Sequence, residues 1–172
     1  MQAQSTLTAP TTDTFISTAA LLEHWQGHRR LTRRLIAAFP EDEFFKFSLG
    51  GMRPAAELVS EMITMAVPGV RGVITGEWPS SFEMESRNGS PLPSTREEFL
   101  RRWDEETREL NELWPQIPAH RFQENVVFFG QWPGTVYWAL LYVIDNEIHH
   151  RAQAFVYLRA LGIEPPFFYD RS

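Results

Sequence analysis

The 172-residue chain contains no cysteine. Disulfide bonds, zinc sites built on thiolates and a cysteine nucleophile are therefore excluded, and the composition suits a reducing cytoplasm. No apolar run reaches the roughly 20 residues that cross a bilayer, and the first residues lack the pattern of a secretory signal peptide. We therefore expect a soluble, cytoplasmic protein that has no membrane partner.

Basic residues are also in the minority. The chain has 16 Lys and Arg against 22 Asp and Glu, which gives a formal net charge of −6. A nucleic-acid binder needs a concentrated basic surface to neutralise phosphates, so no nucleic-acid partner is expected. The one basic run, from His28 to Arg34, spreads round a predicted helix and is interpreted as a solvated face.

Apolar side chains are abundant. Hydrophobic residues make up 43% of the chain and include 13 Phe and 6 Trp, which is enough for the core of one domain. Residues 1–13 are predicted to form a flexible N-terminal tail, and residues 14–172 a single domain. Within this domain the apolar periodicity and stop signals predict four long helices, which cover residues 14–39, residues 54–67, the stretch from a capping box at 94–97 to Pro115, and residues 137–162.

The connections between these helices are predicted to be irregular. Residues 41–52 are expected to form a loop that closes one end of the core, and residues 76–93 a long loop rich in Pro, Gly and Ser. Pro68-Gly69 is expected to end or kink the second helix. The apolar run 126–129 is predicted to be extended, and four long helices with little strand signal favour an all-α bundle.

The fourth helix carries polar residues within an apolar pattern. Glu147 and Arg151 lie near the centre of its apolar face, one turn apart, and are predicted to form a buried ion pair. Asn146 and His150 lie on one flank of that face, whereas His149 points to the opposite side. Only His150 of the two neighbouring histidines is expected to face inward.

Two more polar positions stand out on the first and second helices. His24 and His28 have the His-x-x-x-His spacing that can hold a metal ion from one helix. The alternative is that they are two imidazoles bonded to their neighbours. Glu61 lies between apolar residues on the flank of the second helix, where it is either a ligand or acid/base group or the partner of a basic residue on another helix.

Two segments resemble a known family. Arg53-Pro54 leading into ELVSEM, and the later segment NEIHHRAQAFVYLRALGIEPP, resemble the DinB/YfiT-like superfamily of bacterial proteins, and the likeness extends over about residues 21–169. The resemblance implies an all-α four-helix bundle with a long connection between the second and third helices.

The resemblance also implies a metal site. In the family, one His of the second helix and a His-x-x-x-His pair of the fourth helix hold a divalent ion such as nickel or zinc. These positions fall on Glu61, Asn146 and His150 here, of which only His150 keeps the family's residue type. We expect these three as metal ligands, with Glu61 also a catalytic proton carrier. If the first helix packs alongside, His28 or His24 could supply a further cofactor-binding imidazole.

Two functions follow from the resemblance and the residues. The first is a metal-dependent hydrolase or thiol-dependent transferase that acts on a small molecule or a low-molecular-weight thiol. The second is a metal-free bundle that binds a small ligand or serves a stress response, with the same three residues as a polar cluster. A homodimer is expected because relatives often pair, and His149 and the aromatic tail 167–169 offer contact surface.

Overall fold

The structure, a computed structural model, describes residues 16–78 and 93–172. Its helices are α1 Thr18–Ala38, α2 Glu41–Lys46, α3 Ala55–Thr75, α4 Arg96–Leu113 and α5 Val136–Ala160. Two short 3-10 turns, Trp114–Gln116 and Ala119–Gln123, lead into an antiparallel hairpin of strands β1 Asn125–Phe128 and β2 Trp132–Thr135. The predicted flexible tail 1–13 lies outside the described residues, as do residues 79–92 of the predicted long loop.

The four long helices form a bundle. Helix α5 packs against α3 and α1, and α4 packs against α1 and α3. The short helix α2 closes one end of the bundle against α3, and the hairpin packs against α5 near its beginning. The prediction of an all-α four-helix bundle is therefore confirmed, with the small hairpin as an addition to it.

Helix α5 is held at both ends by local hydrogen bonds. The hydroxyl of Thr135 accepts from the backbone N–H of Trp138 and caps the first turn. At the other end Gly162 adopts a left-handed conformation with φ of 75°. The N–H of Ile163 then reaches the carbonyl of Leu158 at 2.8 Å, which is the Schellman arrangement. Asn146, Glu147, His150 and Arg151 consequently lie on regular helix.

Helix α3 differs from its prediction because it continues through Pro68 to Thr75. A proline inside a helix removes one hydrogen bond and costs about 3 kcal/mol. The residues on both sides of it, including Val67 and Val70, are buried in the core. This burial outweighs the local cost. Of the two outcomes expected at Pro68-Gly69, an end or a kink, the end at residue 67 was therefore wrong. The helix ends instead at Gly76, whose φ is 79°.

Two local predictions also need correction, and one strand was missed. Residues 41–46, predicted as a loop, form α2, whose acidic first turn favours a helix N-terminus. The capping box lies one residue later than predicted, because Thr95 and Glu98 make the reciprocal hydrogen bonds. The predicted extended run at 126–129 is largely confirmed as β1, but its partner β2 was missed because Pro133 and Gly134 disfavour strands.

Two apolar segments differ in their exposure to solvent, the helix α3 and the aromatic tail. By length and composition α3 could cross a bilayer, but 67% of its most apolar window is buried inside the bundle, as in the core helix of a soluble protein. The aromatic tail Phe167–Tyr169 does not pack onto the body of this chain, because its three side chains are exposed.

Candidate functional site

Three polar side chains of α3 and α5 meet at one point. The Oε1 atom of Glu61 lies 2.9 Å from Nε2 of His150 and 2.9 Å from Nδ2 of Asn146. Asn146 and His150 are one helical turn apart, so both project from the same side of α5. The structure thus brings together the three residues to which the motif assigned a metal site.

Arg53 binds the other oxygen of the same carboxylate. Its guanidinium donates to Oε2 of Glu61 at 2.6 Å, and its backbone carbonyl accepts from the hydroxyl of Tyr157 at 2.9 Å. The second contact ties the segment before α3 to α5. The side chains of Arg53 and Glu61 are 46% and 31% exposed, so solvent reaches the outer side of the site.

These hydrogen bonds keep Glu61 ionised. The bond to His150 is the main cause that lowers the pKa of Glu61 to about 2, and the bonds to Asn146 and Arg53 act in the same direction against partial burial. A general base works best when its pKa is near the working pH. The low pKa therefore favours an anionic ligand role for Glu61 over the proton transfer expected from the sequence.

The imidazole of His150 is buried and engaged at both nitrogens. Its Nδ1 lies 3.0 Å from Oε1 of Gln153, and Nε2 of Gln153 lies 3.3 Å from Nε2 of His149. The amide of Gln153 can present to Nδ1 either its oxygen or, after a rotation of 180°, its NH2 group. With the NH2 group at Nδ1, the proton of the neutral ring lies on Nε2 and donates to Glu61. With the oxygen at Nδ1, the proton lies on Nδ1 and the lone pair of Nε2 is available to a cation.

The amide of Asn146 is only half satisfied. Its Oδ1 atom is buried and has no hydrogen-bond partner, whereas buried polar atoms are normally paired. Rotation of the amide by 180° would bring Oδ1 towards Oε1 of Glu61, which is favourable only with a cation between the two oxygens. Imidazole nitrogen, carboxylate oxygen and amide oxygen together make a mixed donor set that fits a divalent ion.

The imidazole of His28 has different surroundings. Its Nδ1 lies 2.7 Å from a guanidinium nitrogen of Arg151 and 2.9 Å from one of Arg171. Because Nδ1 accepts from these cations, the neutral ring carries its proton on Nε2, which lies 3.1 Å from Nε2 of His24. Burial first, and then Arg151 and Arg171, lower the pKa of His28 to about 3.

This bonding bears on the expectation that His28 holds a cofactor. A metal-bound imidazole normally donates its second N–H to an oxygen acceptor, but Nδ1 of His28 faces two donors. None of its hydrogen bonds goes to Glu61 or His150. The structure does not bring His28 into the site, and the arrangement matches the alternative of two imidazoles bonded to their neighbours.

The predicted ion pair on α5 is confirmed. Glu147 and Arg151 are buried with 3.6 Å between Oε1 and NH1. The same carboxylate accepts from the indole N–H of Trp25 at 3.0 Å and from the hydroxyl of Thr32 at 2.6 Å. Burial lowers the pKa of Arg151 to about 10, so the guanidinium stays charged at neutral pH. Both carboxylate oxygens of Glu147 are thus bonded to residues of α1 or α5 and have no contact with the site on α3.

Sequence reasoning missed two contributors to the site. Gln153 lies three residues after His150 on the same helix, so helical spacing could have placed it beside the imidazole. Arg53 precedes the helix that carries Glu61, and only the path of the loop brings its guanidinium back to the carboxylate. In the described ranges no group of three or more His, Cys, Asp or Glu side chains is arranged to hold a metal ion; the third member of this site is an amide.

Known proteins match the chain at the level of family and fold. The model of the DinB family matches residues 9–172. A DinB-like protein of Bacillus subtilis is 20% identical, with a TM-score of 0.68 over 86% of this chain and 96% of that chain. A DinB-like protein of Bacillus cereus is 17% identical, with a TM-score of 0.63 over 88% and 97%. No curated protein sequence matches the chain significantly.

Proposed function

This chain belongs to the DinB family, and we propose that Glu61, Asn146 and His150 bind a divalent transition-metal ion between α3 and α5. The observation that carries the proposal is the convergence of three donor groups at one point: Oε1 of Glu61 lies 2.9 Å from Nε2 of His150 and 2.9 Å from Nδ2 of Asn146. When the neutral imidazole carries its proton on Nδ1, beside Gln153, the lone pair of Nε2 is available to an ion that Glu61 also binds.

The type of donor favours nickel or zinc. An imidazole nitrogen and a carboxylate oxygen suit these borderline ions, and the amide oxygen of Asn146 can complete a set of three protein ligands. Sites with three protein ligands keep positions open for water or substrate. When bound, the ion would supply Lewis acidity and lower the pKa of a coordinated water or thiol.

The residues of the chain have separate roles in this proposal. Gln153 would accept the proton on Nδ1 of His150 and so leave the lone pair of Nε2 for the ion. Glu61 supplies the negative charge, and Arg53 holds its second oxygen. The exposed outer side admits a small substrate. A metal-dependent hydrolase or a thiol-dependent transferase in the cytoplasm is the activity that we expect.

A metal titration tests the proposal. Protein purified without a His-tag is analysed for bound elements, stripped with a chelator, and titrated with Ni²⁺ and with Zn²⁺ in a calorimeter. We expect one ion per chain, and binding that is lost in His150→Ala and in Glu61→Gln. Asn146→His, which introduces the family's residue type, should tighten binding at least about tenfold because imidazole is the better donor to both ions.

Two histidines provide matched controls. His149→Ala removes the exposed neighbour of His150, and His24→Ala removes the exposed half of the other His-x-x-x-His pair. Both should retain the ion. Wild-type protein that binds neither ion, or binding that is lost in His24→Ala and retained in His150→Ala, contradicts the proposal.

The second candidate is a metal-free site for a small polar ligand. The observation that favours it is the ion pair of Arg53 and Glu61, which already neutralises the carboxylate. In that case a proton on Nε2 of His150 donates to Glu61, and no metal ion is needed between the two side chains. The same titration separates the two, because only the first predicts stoichiometric metal.

A further inference from the structure

The contact between α3 and α5 continues beyond the proposed metal ligands. Glu61 of α3 meets Asn146 and His150 of α5. Gly69 lies eight residues later on α3, and a Cβ atom placed on it would be 3.6 Å from the side chain of Val143, which precedes Asn146. The two helices are thus antiparallel here. Their solvent-facing margin, the α3–α5 edge, runs from the ligands towards the hairpin, which packs against the beginning of α5.

Two side chains with rings follow the ligands along the α3–α5 edge. Pro68 is seven residues after Glu61, which is two turns, so both side chains project from the same side of α3. Tyr142 is one turn before Asn146, about 6 Å along α5 and on the same flank. Pro68 is partly exposed, and Tyr142 is 43% exposed. The polar ligands are therefore continued by an apolar surface that solvent reaches.

The ring of Tyr142 is held in place by two other rings. Trp138, one turn earlier on α5, stacks on it with 26° between the ring planes and 5.9 Å between the centroids. Phe128, which is fully buried, lies at 75° to it with 6.4 Å between the centroids. Phe128 also lies 3.7 Å from the Cβ position of Gly69 and so links Tyr142 to α3. A ring that is already fixed loses little conformational entropy when a ligand stacks on it.

Gly134 of β2 positions the second ring of this pair. A Cβ atom on Gly134 would come within 2.6 Å of the indole of Trp138, which is too close for any side chain. The indole therefore lies directly on the backbone of the hairpin, a close approach of the kind that a glycine in a strand permits. Trp138 and Tyr142, 42% and 43% exposed, together form a firm flat surface on which another aromatic ring can stack.

We propose that Tyr142, supported by Trp138, forms a subsite for an aromatic ring, so that the substrate of the metal site is a small aromatic compound whose reacting group is attached directly to the ring. The inference rests on the metal site proposed above. The separation of about 6 Å along α5 between Asn146 and Tyr142 matches one ring joined to a metal-binding group. The two stacked rings favour a planar group over an aliphatic one, since aromatic pairs gain more than the area that they bury.

Hydroxamates test this subsite, because they bind a metal ion through the same two oxygens whatever group they carry. Protein loaded with Ni²⁺ or Zn²⁺ is titrated in a calorimeter with acetohydroxamate, benzohydroxamate and cyclohexanecarbohydroxamate. We expect benzohydroxamate to bind at least about tenfold more tightly than acetohydroxamate. It should also bind more tightly than the cyclohexyl compound, which has a similar size but is not planar.

Variants of Tyr142 cancel the intrinsic differences between the three probes. Tyr142→Ala should reduce the advantage of benzohydroxamate over acetohydroxamate to less than about threefold, and Tyr142→Phe should keep it, because the ring makes the contact. Tyr137→Ala is the matched control, since Tyr137 is 42% exposed on the same helix but projects from a different side. All three variants should bind the ion as the wild type does. Circular dichroism checks that each variant keeps its helices.

Three outcomes would overturn the aromatic subsite while the metal site stands. The first is a loaded protein that binds benzohydroxamate no more tightly than the other two probes. The second is an advantage that persists in Tyr142→Ala or is lost equally in Tyr137→Ala. The third is unchanged probe binding in Tyr142→Ala with a changed molecular mass in solution, which would assign the ring to a contact between chains. Wild-type protein that binds no ion overturns the metal site and this inference with it.

Discussion

Two polar clusters share helix α5 and are built in opposite ways. The inner cluster lies between α1 and α5 and centres on Glu147 and Arg151, which are buried and paired with α1. The outer cluster lies between α3 and α5 and centres on Glu61 and His150. It is open to solvent on one side and keeps an unpaired amide oxygen on Asn146. A closed set of hydrogen bonds stabilises the fold, whereas an incomplete set leaves atoms for a ligand.

The two buried imidazoles show the same difference at the level of single atoms. Nδ1 of His28 accepts from guanidinium groups, which fixes the proton on Nε2. Nδ1 of His150 faces the amide of Gln153, which can accept its proton, and Nε2 lies 2.9 Å from Oε1 of Glu61. Burial alone does not distinguish them. The neighbour of the second ring nitrogen decides which imidazole can bind an ion.

The largest effect on stability is expected from Glu147→Ala. This change leaves Arg151 buried without its partner and should lower the free energy of unfolding by about 3–5 kcal/mol. Glu61→Ala breaks a half-exposed ion pair and two partly buried hydrogen bonds, so a smaller loss of about 1–2 kcal/mol is expected. Chemical denaturation of both variants measures the contrast.

The control for this contrast is a double replacement. Glu147→Met together with Arg151→Met removes both charges and should cost much less than Glu147→Ala, since an apolar pair of similar size fills the same space. Equal losses for Glu147→Ala and Glu61→Ala would show that the two clusters do not differ as described.

The next effect concerns metal affinity and leaves stability nearly unchanged. Gln153→Ala removes the acceptor that orients His150 and should weaken Ni²⁺ or Zn²⁺ binding by about 10–100-fold. The free energy of unfolding should change by less than about 1 kcal/mol. Calorimetric titration and denaturation give the two values, and Gln131→Ala, at an exposed position, is the matched control. Unchanged affinity would mean that Gln153 does not position the imidazole.

A third prediction uses the dependence of stability on pH. The folded pKa of His28 is about 3, whereas that of a free imidazole side chain is 6.5, so below pH 6.5 the unfolded chain binds a proton that the folded chain does not bind. The contribution of His28 is therefore lost as pH falls from about 6.5 towards 3. Glu61, with a folded pKa of about 2 against 4.5, loses its contribution only from about pH 4.5 downwards.

The window between pH 4.5 and 6.5 separates these two groups. The difference in unfolding free energy between wild type and His28→Gln should shrink by on the order of 1–2 kcal/mol between pH 7 and pH 5. Glu61→Gln should show no such change over that range. Taking differences from wild type removes the contribution of Glu106, whose raised pKa of about 7 acts in the opposite sense. A constant difference for His28→Gln would contradict the neutral imidazole.

The smallest effect is expected from Asn146→Ala. The change removes a hydrogen bond to Glu61, which is worth about 1 kcal/mol, but it also removes the buried oxygen that has no partner. These effects oppose each other, and we expect a change in unfolding free energy within about 0.5 kcal/mol. A loss above 2 kcal/mol would place Asn146 with the structural residues of the inner cluster.

Helical spacing predicted most of what lies on one helix. It placed Glu147 and Arg151 together at the centre of the apolar face of α5 and His150 on the flank of that face. Both placements depend only on the rotation of 100° per residue along a helix. Helical spacing could not predict the orientation of the His28 ring, because Arg171, near the end of the chain, contacts its Nδ1. The same limit applies to α3, where core packing carries the helix past Pro68.

Pro68 has one more consequence for the neighbourhood of Glu61. Proline has no backbone N–H, so the carbonyl oxygen of Thr64 lacks the donor that any other residue at position 68 would provide. Thr64 lies three residues after Glu61 on α3. The carbonyl of Thr64 therefore lacks its regular intrahelical donor one turn beyond the carboxylate, and Pro68→Ala would restore this hydrogen bond without changing a side chain of the site.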